Sequence, residues 1–512
     1  MKPRNPTLIC IPVCVQTGLE LERALSRAAA EGDMVELRLD CLLPSEFEQL
    51  SPRLPELIKT IGRRTIVTLR PSEQGGHREL DAEARRLFWK SNASSGADYR
   101  DIEYDLACDA DLFESVRSED WSRAICSYHD FSGVPEDLDH LYEAMASSRA
   151  RIIKIAVHAN DITDCIAIFR LLERARHGGR EIIAIAMGES GVATRILGPS
   201  RGSFLTYGSV AEGAGTAAGQ VSARELRQTY RIDKITDRTA IVGLVGLPTG
   251  HSISPHVHNA AFEATGVDAV YLRFEVHDLE GFMRRMVDNR SREFDWNLRG
   301  LSVTAPHKSA VLDYLDWVEP AAKDIGAVNT VVVDRKEIQG YNTDAEGFIK
   351  PLLRRLGSLT GLRCAVIGAG GAARTAAWVL RREGARVTVF ARQIAKANLL
   401  AHEFGVEADQ LGNAGLGDFD LVINATALGT SGALENETVV TARQLSGAGF
   451  FYDLVYNPKE TRLMREARDA GCQTLGGAEM LITQAAAQFR LWTGNEAPLE
   501  VMAEAAEKAL QG

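Results

Sequence analysis

The chain has 512 residues, of which 45% are hydrophobic and 25% are charged, and its formal net charge is -11 at pH 7. This composition is typical of a globular protein, and the negative balance argues against nucleic acid as the main partner. The length corresponds to about three domains of ~100–200 residues each. No apolar run is long enough to cross a bilayer, and residues 1–7 lack the pattern of a signal or transit peptide. We therefore expect a cytoplasmic protein that is not held in a membrane.

The eight cysteines are scattered along the chain, and no Cys-x-x-Cys pair is present. Cys10 and Cys14 lie along an apparent strand, which favours packing in a core over metal binding. Scattered cysteines without such pairs are typical of a protein in a reducing cytoplasm.

The first half of the chain, up to about residue 230, alternates short β-like runs with helix-like stretches such as those at 19–30 and 161–177. Strands that alternate with helices predict a parallel sheet. About eight repeats predict a closed (β/α)₈ barrel, which we place over residues 1–231. The predicted strands lie at residues 8–15, 34–40, 64–70, 99–106, 124–131, 151–158, 181–187 and 204–210.

Charged side chains alternate with apolar ones in the second predicted strand, where Glu36, Arg38 and Asp40 share one face. If the apolar face packs on the outer helices, the charged face points into the barrel. Lys154 lies in another run, residues 152–157, in which the other residues are apolar and suited to burial. Burying such charges without partners costs several kcal/mol each, so a cluster of charges in a barrel mouth indicates a functional site. The alternatives are an edge strand with a solvated face and a strand-end lysine that reaches solvent.

A histidine, His129, ends the strand that precedes Lys154. A buried lysine close to other cations can be a free amine, which forms an imine with a ketone. The imine draws electrons from the adjacent C–H bond, and a histidine near neutrality can remove that proton. Lysine, histidine and cationic anchors together suit β-elimination from a keto acid.

Residues 7–230 resemble type I 3-dehydroquinate dehydratases over their whole length. The resemblance implies that Lys154 forms the imine, that His129 is the general acid and base, and that Arg195 holds the substrate carboxylate. It also implies further binding residues at the substrate's hydroxyl and carboxylate positions, namely Glu36, Arg38, Arg70, Thr216 and Gln220. The matching segments are 36–40, 68–70 with Gly75 and Gly76, 101–103, 128–130, 153–156, 187–195 and 219–220.

The chain departs from that family's pattern at three positions. Gln74 stands where an acid usually precedes the two glycines and helps to orient the histidine. Thr194 and Thr216 stand where serine is common, and both keep a hydroxyl group. The change at Gln74 bears on the rate of this half more than on its identity.

The second half begins after a short charged linker, residues 232–239, and a new strand at 240–245. A Gly- and Pro-rich turn follows that strand and carries Ser252 and Ser254. Two hydroxyls two residues apart can both face an anion such as a carboxylate. The alternative is a serine-rich turn that caps the next helix. Further on, Lys308 and Asp344 each lie in a loop after a strand, where a single charge is more often a surface residue than a catalyst.

A glycine-rich turn, with Gly368, Gly370 and Gly371, follows a strand at 363–367 and opens a helix at 372–382. In this context the pattern indicates dinucleotide binding, because the pyrophosphate lies at a helix N-terminus. The next strand ends in Arg392, with Lys396 one turn on, where NAD-specific folds usually have an acid. Cations there suit a 2′-phosphate, so we predict NADP as the cofactor.

Residues 240–512 resemble shikimate dehydrogenases in the order and the amino-acid sequence of eight segments. The resemblance implies that Lys308 and Asp344 form the catalytic pair and that Ser252 and Ser254 bind the carboxylate. It places Thr304, Asn329, Asp344 and Gln484 at the ring hydroxyls, and Tyr456 and Gly477 near the nicotinamide, while Ala372 and Thr426 lie in its nucleotide-binding segments. The matching segments are 251–255, 303–308, 326–330, 342–347, 368–374, 424–429, 452–458 and 477–484.

This half resembles a two-lobed enzyme with a substrate lobe at 240–344 plus 479–512 and a Rossmann lobe at 345–478. The family's Asn-Arg-Thr phosphate clamp appears here as Ala391, Arg392 and Gln393. We therefore interpret the chain as a fusion whose first half converts 3-dehydroquinate to 3-dehydroshikimate and whose second half reduces that product to shikimate. The alternatives are a second half that prefers quinate with NAD, which Arg392 opposes, and a non-catalytic sensor of the same metabolites.

Overall fold

The computed structural model describes residues 7–109, 112, 118–211, 219–413 and 415–511. The chain divides into two compact units. The first consists of Met1–Thr239 and Leu272–Asn297, and the second of Ala240–Tyr271 and Leu298–Gly512.

The first unit contains a parallel eight-stranded sheet whose order is β7-β6-β5-β4-β3-β2-β1-β8. An isolated bridge between Ile182 and Ser203 brings the two ends of this sheet together, so the barrel is nearly closed. The prediction of a (β/α)₈ barrel is therefore confirmed. Its strands are β1 Ile9–Val13, β2 Met34–Arg38, β3 Arg64–Thr68, β4 Tyr99–Glu103, β5 Ala124–Asp130, β6 Ile152–His158, β7 Glu181–Met187 and β8 Thr206–Tyr207.

The interior of the barrel is layered, because alternate residues of each strand point inward. Met34, Ile66 and Ile152 belong to an apolar cluster that fills one layer. Two residues further along their strands, Glu36 and Lys154 are also buried. The strand pattern thus places a charged layer directly on an apolar one, as the alternation in the sequence predicts.

Helices surround the strands of the first unit. The first of them begins with a capping box, in which Thr17 accepts a hydrogen bond from the Glu20 backbone while the Glu20 side chain bonds back to Thr17. The helices are Gly18–Glu31, Pro44–Leu50, Leu54–Thr60, Ala82–Lys90, Tyr104–Ala107, Ser118–Trp121, Leu138–Ala146, Cys165–His177, Val192–Arg201, Ala223–Gln228 and Leu279–Phe282.

The second half of the chain supplies two further sheets. The first has the mixed order β10-β9-β11-β13-β14-β12, with an antiparallel pair between β11 and β13 and another between β13 and β14. Its strands are β9 Ala240–Gly246, β10 Ala269–Glu275, β11 Leu298–Val303, β12 Trp317–Val318, β13 Thr330–Val333 and β14 Ile338–Tyr341.

The other sheet is parallel and has the order β17-β16-β15-β18-β19-β20. Numbered from β15, this is the 3-2-1-4-5-6 order of a Rossmann fold, whose ligand crevice lies where the strand order reverses, between β15 and β18. The predicted nucleotide-binding architecture is therefore confirmed. The strands are β15 Arg363–Ile367, β16 Arg386–Ala391, β17 Glu407–Gln410, β18 Leu421–Asn424, β19 Phe450–Asp453 and β20 Gln473–Leu475.

Helices of the second unit lie between and after these strands, and among the described residues none is long and apolar enough to cross a membrane. They are Ser254–Thr265, Pro320–Ile325, Thr343–Leu356, Gly371–Arg382, Ile394–Phe404, Ala442–Leu445, Arg462–Asp469, Ala478–Thr493 and Leu499–Gln511.

The predicted linker, residues 232–239, consists of turns in which Ile232 and Ile235 are buried. One local expectation needs correction. Cys10 packs in the barrel core as predicted, whereas Cys14 follows the end of β1 and forms a disulfide bond with Cys41. The interpretation of Cys14 as a core residue was wrong because the strand ends one residue before it.

Candidate active sites

Lys154 projects from β6 into the barrel, where its side chain is 5% exposed. Its Nζ atom lies 2.7 Å from Oδ2 of Asp101 and 3.6 Å from Oε1 of Glu36. The Tyr207 ring lies on another side of the amine, 4.7 Å from its centroid. Two carboxylates and an aromatic face therefore fix the position of the amine.

Arg70 organises the groups beside Lys154. Its Nη2 atom lies 2.9 Å from Oδ1 of Asp101, and its Nη1 atom donates to Ser127 Oγ at 3.1 Å. The same Nη1 lies 3.0 Å from Nδ1 of His129. Because a guanidinium can only donate, Nδ1 accepts this hydrogen bond and the proton of a neutral His129 lies on Nε2.

Burial and neighbouring charges shift the pKa values of this cluster in opposite directions. Burial acts to raise the pKa of Asp101, but Arg70 and Lys154 outweigh it and hold that pKa below its usual range. Burial raises the pKa of Glu103 to about 7. Burial, together with Arg70 and Lys154, lowers the pKa of His129 well below its usual value. His129 is therefore neutral at physiological pH, as a proton acceptor must be.

Arg38 is held at the mouth of the barrel by a bidentate pair with Asp40, at 2.9 and 2.8 Å. Asp40 is fully buried and also accepts hydrogen bonds from the backbone N–H groups of Arg70 and His77. Gln74, which replaces the family's usual acid, accepts a hydrogen bond from the His129 backbone at 3.1 Å through its Oε1 atom. Gln74 thus holds the backbone of His129 in place without adding a charge.

The predicted residues of the first half converge on one cavity of about 80 Å³. Thr216 lies outside the described residues. Arg195 reaches the cavity from the helix Val192–Arg201, and burial lowers its pKa to about 10. Tyr207 and Met187 also line the cavity, and Ser127 contacts Arg70; none of the three was a predicted site residue, because they lie in predicted strands and carry no charge. The predicted residues that line the cavity are Glu36, Arg38, Arg70, His129, Lys154, Arg195 and Gln220.

A second and larger cavity, of about 580 Å³, lies in the second unit. It brings together predicted residues from both of that unit's sheets and from the helix Ala478–Thr493. Those that line it are Ser252, Ser254, Thr304, Lys308, Asn329, Asp344, Ala372, Thr426, Tyr456, Gly477 and Gln484.

Lys308 and Asp344 form an ion pair in this cavity, with 2.5 Å between Nζ and Oδ2. Asn329 donates from its Nδ2 atom to the other carboxylate oxygen of Asp344, at 2.8 Å, and approaches Oε1 of Gln484 at 3.5 Å. Asp344 is in the first turn of the helix Thr343–Leu356, where an anion is stabilised by the helix dipole. Folding thus joins two charges that are 36 positions apart.

Ser252 and Ser254 lie where the turn after β9 enters the helix Ser254–Thr265, with 3.1 Å between their Oγ atoms. Burial raises the pKa of Tyr456, although a hydrogen bond with Ser252 opposes that shift. Gln488, which was not a predicted site residue, also lines the cavity one helical turn after Gln484. It accepts a hydrogen bond from Ser302 and donates to Thr330, both at 3.0 Å.

The glycine turn after β15 has the geometry that a dinucleotide needs. Gly368 has φ of +125°, and a Cβ atom there would lie 2.9 Å from the carbonyl oxygen of Ala425. A Cβ atom at Gly370 would meet nothing within 4 Å, so the space before the helix Gly371–Arg382 is open. Gly371 lies near Lys308, since its Cβ position is 3.5 Å from Lys308 Cδ. The helix N-terminus therefore faces the same cavity as Lys308 and Asp344.

Arg392 and Lys396 do not line that cavity; both are exposed beyond the end of β16. This position is where the adenosine ribose of a bound dinucleotide lies in a Rossmann fold. The two cations are therefore placed away from the chemistry, as a group that recognises a 2′-phosphate must be.

Comparison with known proteins decides the family. The model for type I 3-dehydroquinase matches residues 9–237, and the shikimate dehydrogenase substrate binding domain matches 244–331. The shikimate / quinate 5-dehydrogenase model matches 352–462, and the shikimate 5′-dehydrogenase C-terminal domain matches 477–507. A bifunctional 3-dehydroquinate dehydratase/shikimate dehydrogenase from Arabidopsis thaliana, described as chloroplastic, is 34% identical over 97% of this chain and 84% of its own length.

The chain belongs to the bifunctional 3-dehydroquinate dehydratase/shikimate dehydrogenase family. A shikimate dehydrogenase (NADP(+)) from Methanopyrus kandleri is 42% identical over 52% of this chain and 94% of its own length. A solved shikimate dehydrogenase in complex with NADP⁺ is 35% identical, with a TM-score of 0.50, over 54% of this chain and 97% of its own. The dehydratase/dehydrogenase is thus a lyase and an NADP-dependent oxidoreductase of the shikimate pathway.

Proposed function

We propose that the dehydratase acts through an imine between Lys154 and the ring ketone of 3-dehydroquinate. The amine attacks the carbonyl carbon, water leaves, and the protonated imine makes the adjacent ring C–H acidic. Loss of that proton and of the β-hydroxyl, which leave together as water, gives the imine of 3-dehydroshikimate with Lys154. A second water molecule then hydrolyses this imine, which releases 3-dehydroshikimate and restores the amine. The contacts of Lys154 with Asp101 and Glu36 support this role, because they hold the amine in one place at the centre of the cavity.

His129 is the proposed general acid and base. In the absence of substrate, Arg70 donates to its Nδ1 atom, which leaves the proton on Nε2. When a substrate oxygen takes over the Arg70 donor, the proton can shift to Nδ1 and Nε2 becomes the base. Binding of substrate and activation of the histidine are in this way the same event.

Arg195 is proposed to hold the substrate carboxylate. Arg195 is 2% exposed and lines the cavity, and burial lowers the pKa of its guanidinium to about 10. A guanidinium at this position can form charge-assisted hydrogen bonds with a carboxylate. Glu36, Arg38, Arg70 and Gln220, together with Thr216, are proposed to bind the remaining oxygen atoms.

The dehydrogenase half is proposed to reduce 3-dehydroshikimate with Lys308 and Asp344. NADPH, when bound, would supply the hydride for the ring ketone. Lys308 protonates the resulting alkoxide oxygen and Asp344 orients the ammonium group, which the 2.5 Å ion pair supports. Asn329 in turn holds Asp344 by its second oxygen, so the pair cannot rotate out of the cavity.

The rest of the shikimate-binding set is proposed from the cavity lining. Ser252 and Ser254 are placed to bind the carboxylate with two hydroxyl groups 3.1 Å apart. Thr304, Asn329 and Gln484 would hold the ring hydroxyls, and Tyr456 closes the pocket beside Ser252.

NADP is proposed to lie across the end of the Rossmann sheet. Gly368, Gly370, Gly371 and Ala372 would hold the pyrophosphate at a helix N-terminus with no side chain in front of it. Thr426 and Gly477 line the cavity where the nicotinamide would reach the catalytic pair. Arg392 and Lys396 would bind the 2′-phosphate.

The domain boundaries are proposed as 1–231 for the dehydratase, 240–344 with 479–512 for the shikimate lobe and 345–478 for the NADP lobe. We also propose that the enzyme acts on small molecules in the cytoplasm rather than on nucleic acid, which its net charge of -11 supports. Fractionation of cells that express a tagged chain tests the compartment.

The observation that carries the dehydratase proposal is the buried amine of Lys154 between Asp101 and Glu36. Borohydride reduces an imine to a stable amine, so treatment during turnover attaches the substrate skeleton to the lysine. Peptide mapping by mass spectrometry is expected to find the adduct on Lys154. An adduct on a different lysine, or none during measurable dehydration, would refute the proposed role.

A further inference from the structure

A disulfide bond lies beside the dehydratase cavity. Cys14 follows β1, Cys41 ends the short 3-10 turn Leu39–Cys41 after β2, and their sulfur atoms are bonded. Both therefore lie at the carboxyl ends of neighbouring barrel strands, the end at which barrel enzymes carry their catalytic residues. The remaining six cysteines are free.

The disulfide is one residue from the group that positions Arg38. Cys41 directly follows Asp40, and its sulfur lies 3.9 Å from Oδ2 of that carboxylate. The same oxygen accepts a hydrogen bond from Arg38 Nη2 at 2.8 Å. A Cys41 thiol would therefore place an S–H donor against the oxygen that holds Arg38, whereas a disulfide sulfur has no proton to donate.

A histidine stands next to the sulfurs. A ring nitrogen of His77 and the two sulfur atoms all lie within 4.8 Å of one another. His77 is exposed and Cys14 is half-buried, while Cys41 is buried. An incoming thiolate therefore reaches the sulfur of Cys14 first, and the imidazole of His77 lies close enough to pass a proton to the departing Cys41 sulfur.

We infer that Cys14, Cys41 and His77 form a thiol-reactive site that adjusts the dehydratase through Arg38, an inference that rests on the proposed role of Arg38 in binding 3-dehydroquinate. A dithiol reductant attacks the Cys14 sulfur and breaks the S–S bond, and Cys41 takes the electron pair and a proton. The second thiol of the reductant then displaces Cys14. The protein ends with two thiols, and the reductant is oxidised to its disulfide.

The two forms differ in how firmly Arg38 is held. In the disulfide form both oxygens of Asp40 are available to the guanidinium. In the dithiol form Cys41 competes for Oδ2, so the KM for 3-dehydroquinate rises about three- to tenfold, the effect of one neutral hydrogen bond. The dehydrogenase cavity contains no cysteine among its lining residues, and its KM for shikimate is expected to stay constant.

The experiment compares the whole chain in oxidised form and after reduction by dithiothreitol. Mass spectrometry of unreduced peptides first establishes whether Cys14 and Cys41 are cross-linked, independently of any activity. The dehydratase KM and the dehydrogenase KM are then measured on the same sample. Cross-linked peptides, with a dehydratase KM that rises on reduction and a constant dehydrogenase KM, support the inference.

Three variants sharpen the test. Cys14→Ser with Cys41→Ser should remove the response to reductant, and Cys108→Ser, the matched control at an exposed free cysteine, should keep it. His77→Gln should slow reduction several-fold without changing the cross-link. A KM that does not respond to reduction, or free thiols at both positions without reductant, would overturn the inference. One zinc ion per chain in reduced protein, lost in Cys41→Ser, would overturn it in favour of a metal site. Absence of dehydratase activity in both forms, with the cross-link mapped, would refute the proposed function as well as the response.

Discussion

Asp101 Oδ2 lies 2.7 Å from Lys154 Nζ, while Asp101 Oδ1 lies 2.9 Å from Arg70. One buried carboxylate therefore holds both the amine that we propose as nucleophile and the guanidinium that contacts His129. Because a displacement of about 1 Å can cost 10²-fold in rate, Asp101→Asn is expected to lower the dehydratase kcat about 100-fold. It should also destabilise the barrel by roughly 3–5 kcal/mol, because two cations lose their partner.

Steady-state kinetics and urea unfolding of Asp101→Asn check both expectations. Asp105→Asn is the matched control, since Asp105 is about half exposed and pairs with Arg85 rather than with the catalytic groups. The control should keep its dehydratase kcat, and the dehydrogenase should be unaffected in both variants. A normal dehydratase kcat in Asp101→Asn would contradict the proposed arrangement.

We expect the dehydratase to remain active at unusually low pH, because Gln74 adds no negative charge near His129. His129 must be neutral to accept a proton, and its pKa lies well below the usual value because of burial and the cations Arg70 and Lys154. The acid limb of the pH profile therefore lies at low pH. Gln74→Glu adds a carboxylate beside His129, which raises the imidazole pKa and moves the acid limb upward by about one pH unit.

The profile of dehydratase kcat against pH measures this shift. Glu73→Gln, at the exposed neighbouring residue, should leave the profile where it is. An acid limb that stays in place in Gln74→Glu would show that His129 is not the group that titrates.

We expect the free energy of unfolding of the barrel to depend on pH through the ionisation of Glu103. Burial raises its pKa to about 7, whereas an unfolded glutamate titrates near pH 4.3. Between these values the folded state binds more protons than the unfolded state, so stability falls as pH rises through this window. At about 1.4 kcal/mol per pKa unit the loss over the whole window is roughly 4 kcal/mol, and Glu103→Gln should abolish it.

Urea unfolding midpoints of the barrel at pH 5 and pH 7.5 test this expectation. Asp101 has a lowered pKa, so its contribution to stability is constant above about pH 4 and is lost only at lower pH; it does not interfere. The exposed Glu83→Gln should behave like the parent protein. Equal falls of the midpoint in Glu103→Gln and in the parent would be incompatible with a protonated Glu103.

We expect Arg392 to determine the preference for NADPH over NADH. Its side chain is exposed at the end of β16, where a 2′-phosphate would lie. Arg392→Ala should raise the KM for NADPH about tenfold, the effect of losing one charge-assisted hydrogen bond, and leave the KM for NADH nearly constant. Arg386→Ala, at the exposed start of the same strand, is the control. Equal losses with both cofactors would show that Arg392 does not recognise the phosphate.

Much of the architecture follows from the sequence because it rests on repeating patterns. The alternation of Glu36 and Arg38 with apolar residues predicted their inward face, and the glycine turn at Gly368 predicted the Rossmann lobe. Asp40 instead lies after the end of β2, in the 3-10 turn Leu39–Cys41, where it is buried and pairs with Arg38. These signals are local, since strand geometry and the turn's backbone determine them within a few residues.

Other features could not be predicted because they depend on contacts between distant segments. The bond between Cys14 and Cys41 joins the ends of two strands 27 residues apart. The bridge from Arg70 to His129 spans 59 residues. Tyr207 carries no charge to mark it as a neighbour of Lys154, and the burial of Ile232 and Ile235 depends on the surrounding fold rather than on their short charged segment.

The most direct test of the two-step account is to supply the purified chain with 3-dehydroquinate and NADPH alone and follow the oxidation of NADPH. We predict that the parent protein oxidises NADPH and forms shikimate. Lys154→Ala should oxidise NADPH only when 3-dehydroshikimate replaces 3-dehydroquinate. Lys308→Ala should not oxidise NADPH with either substrate. If the parent protein does not oxidise NADPH with 3-dehydroquinate, or if Lys154→Ala retains full activity with it, the central claim is contradicted.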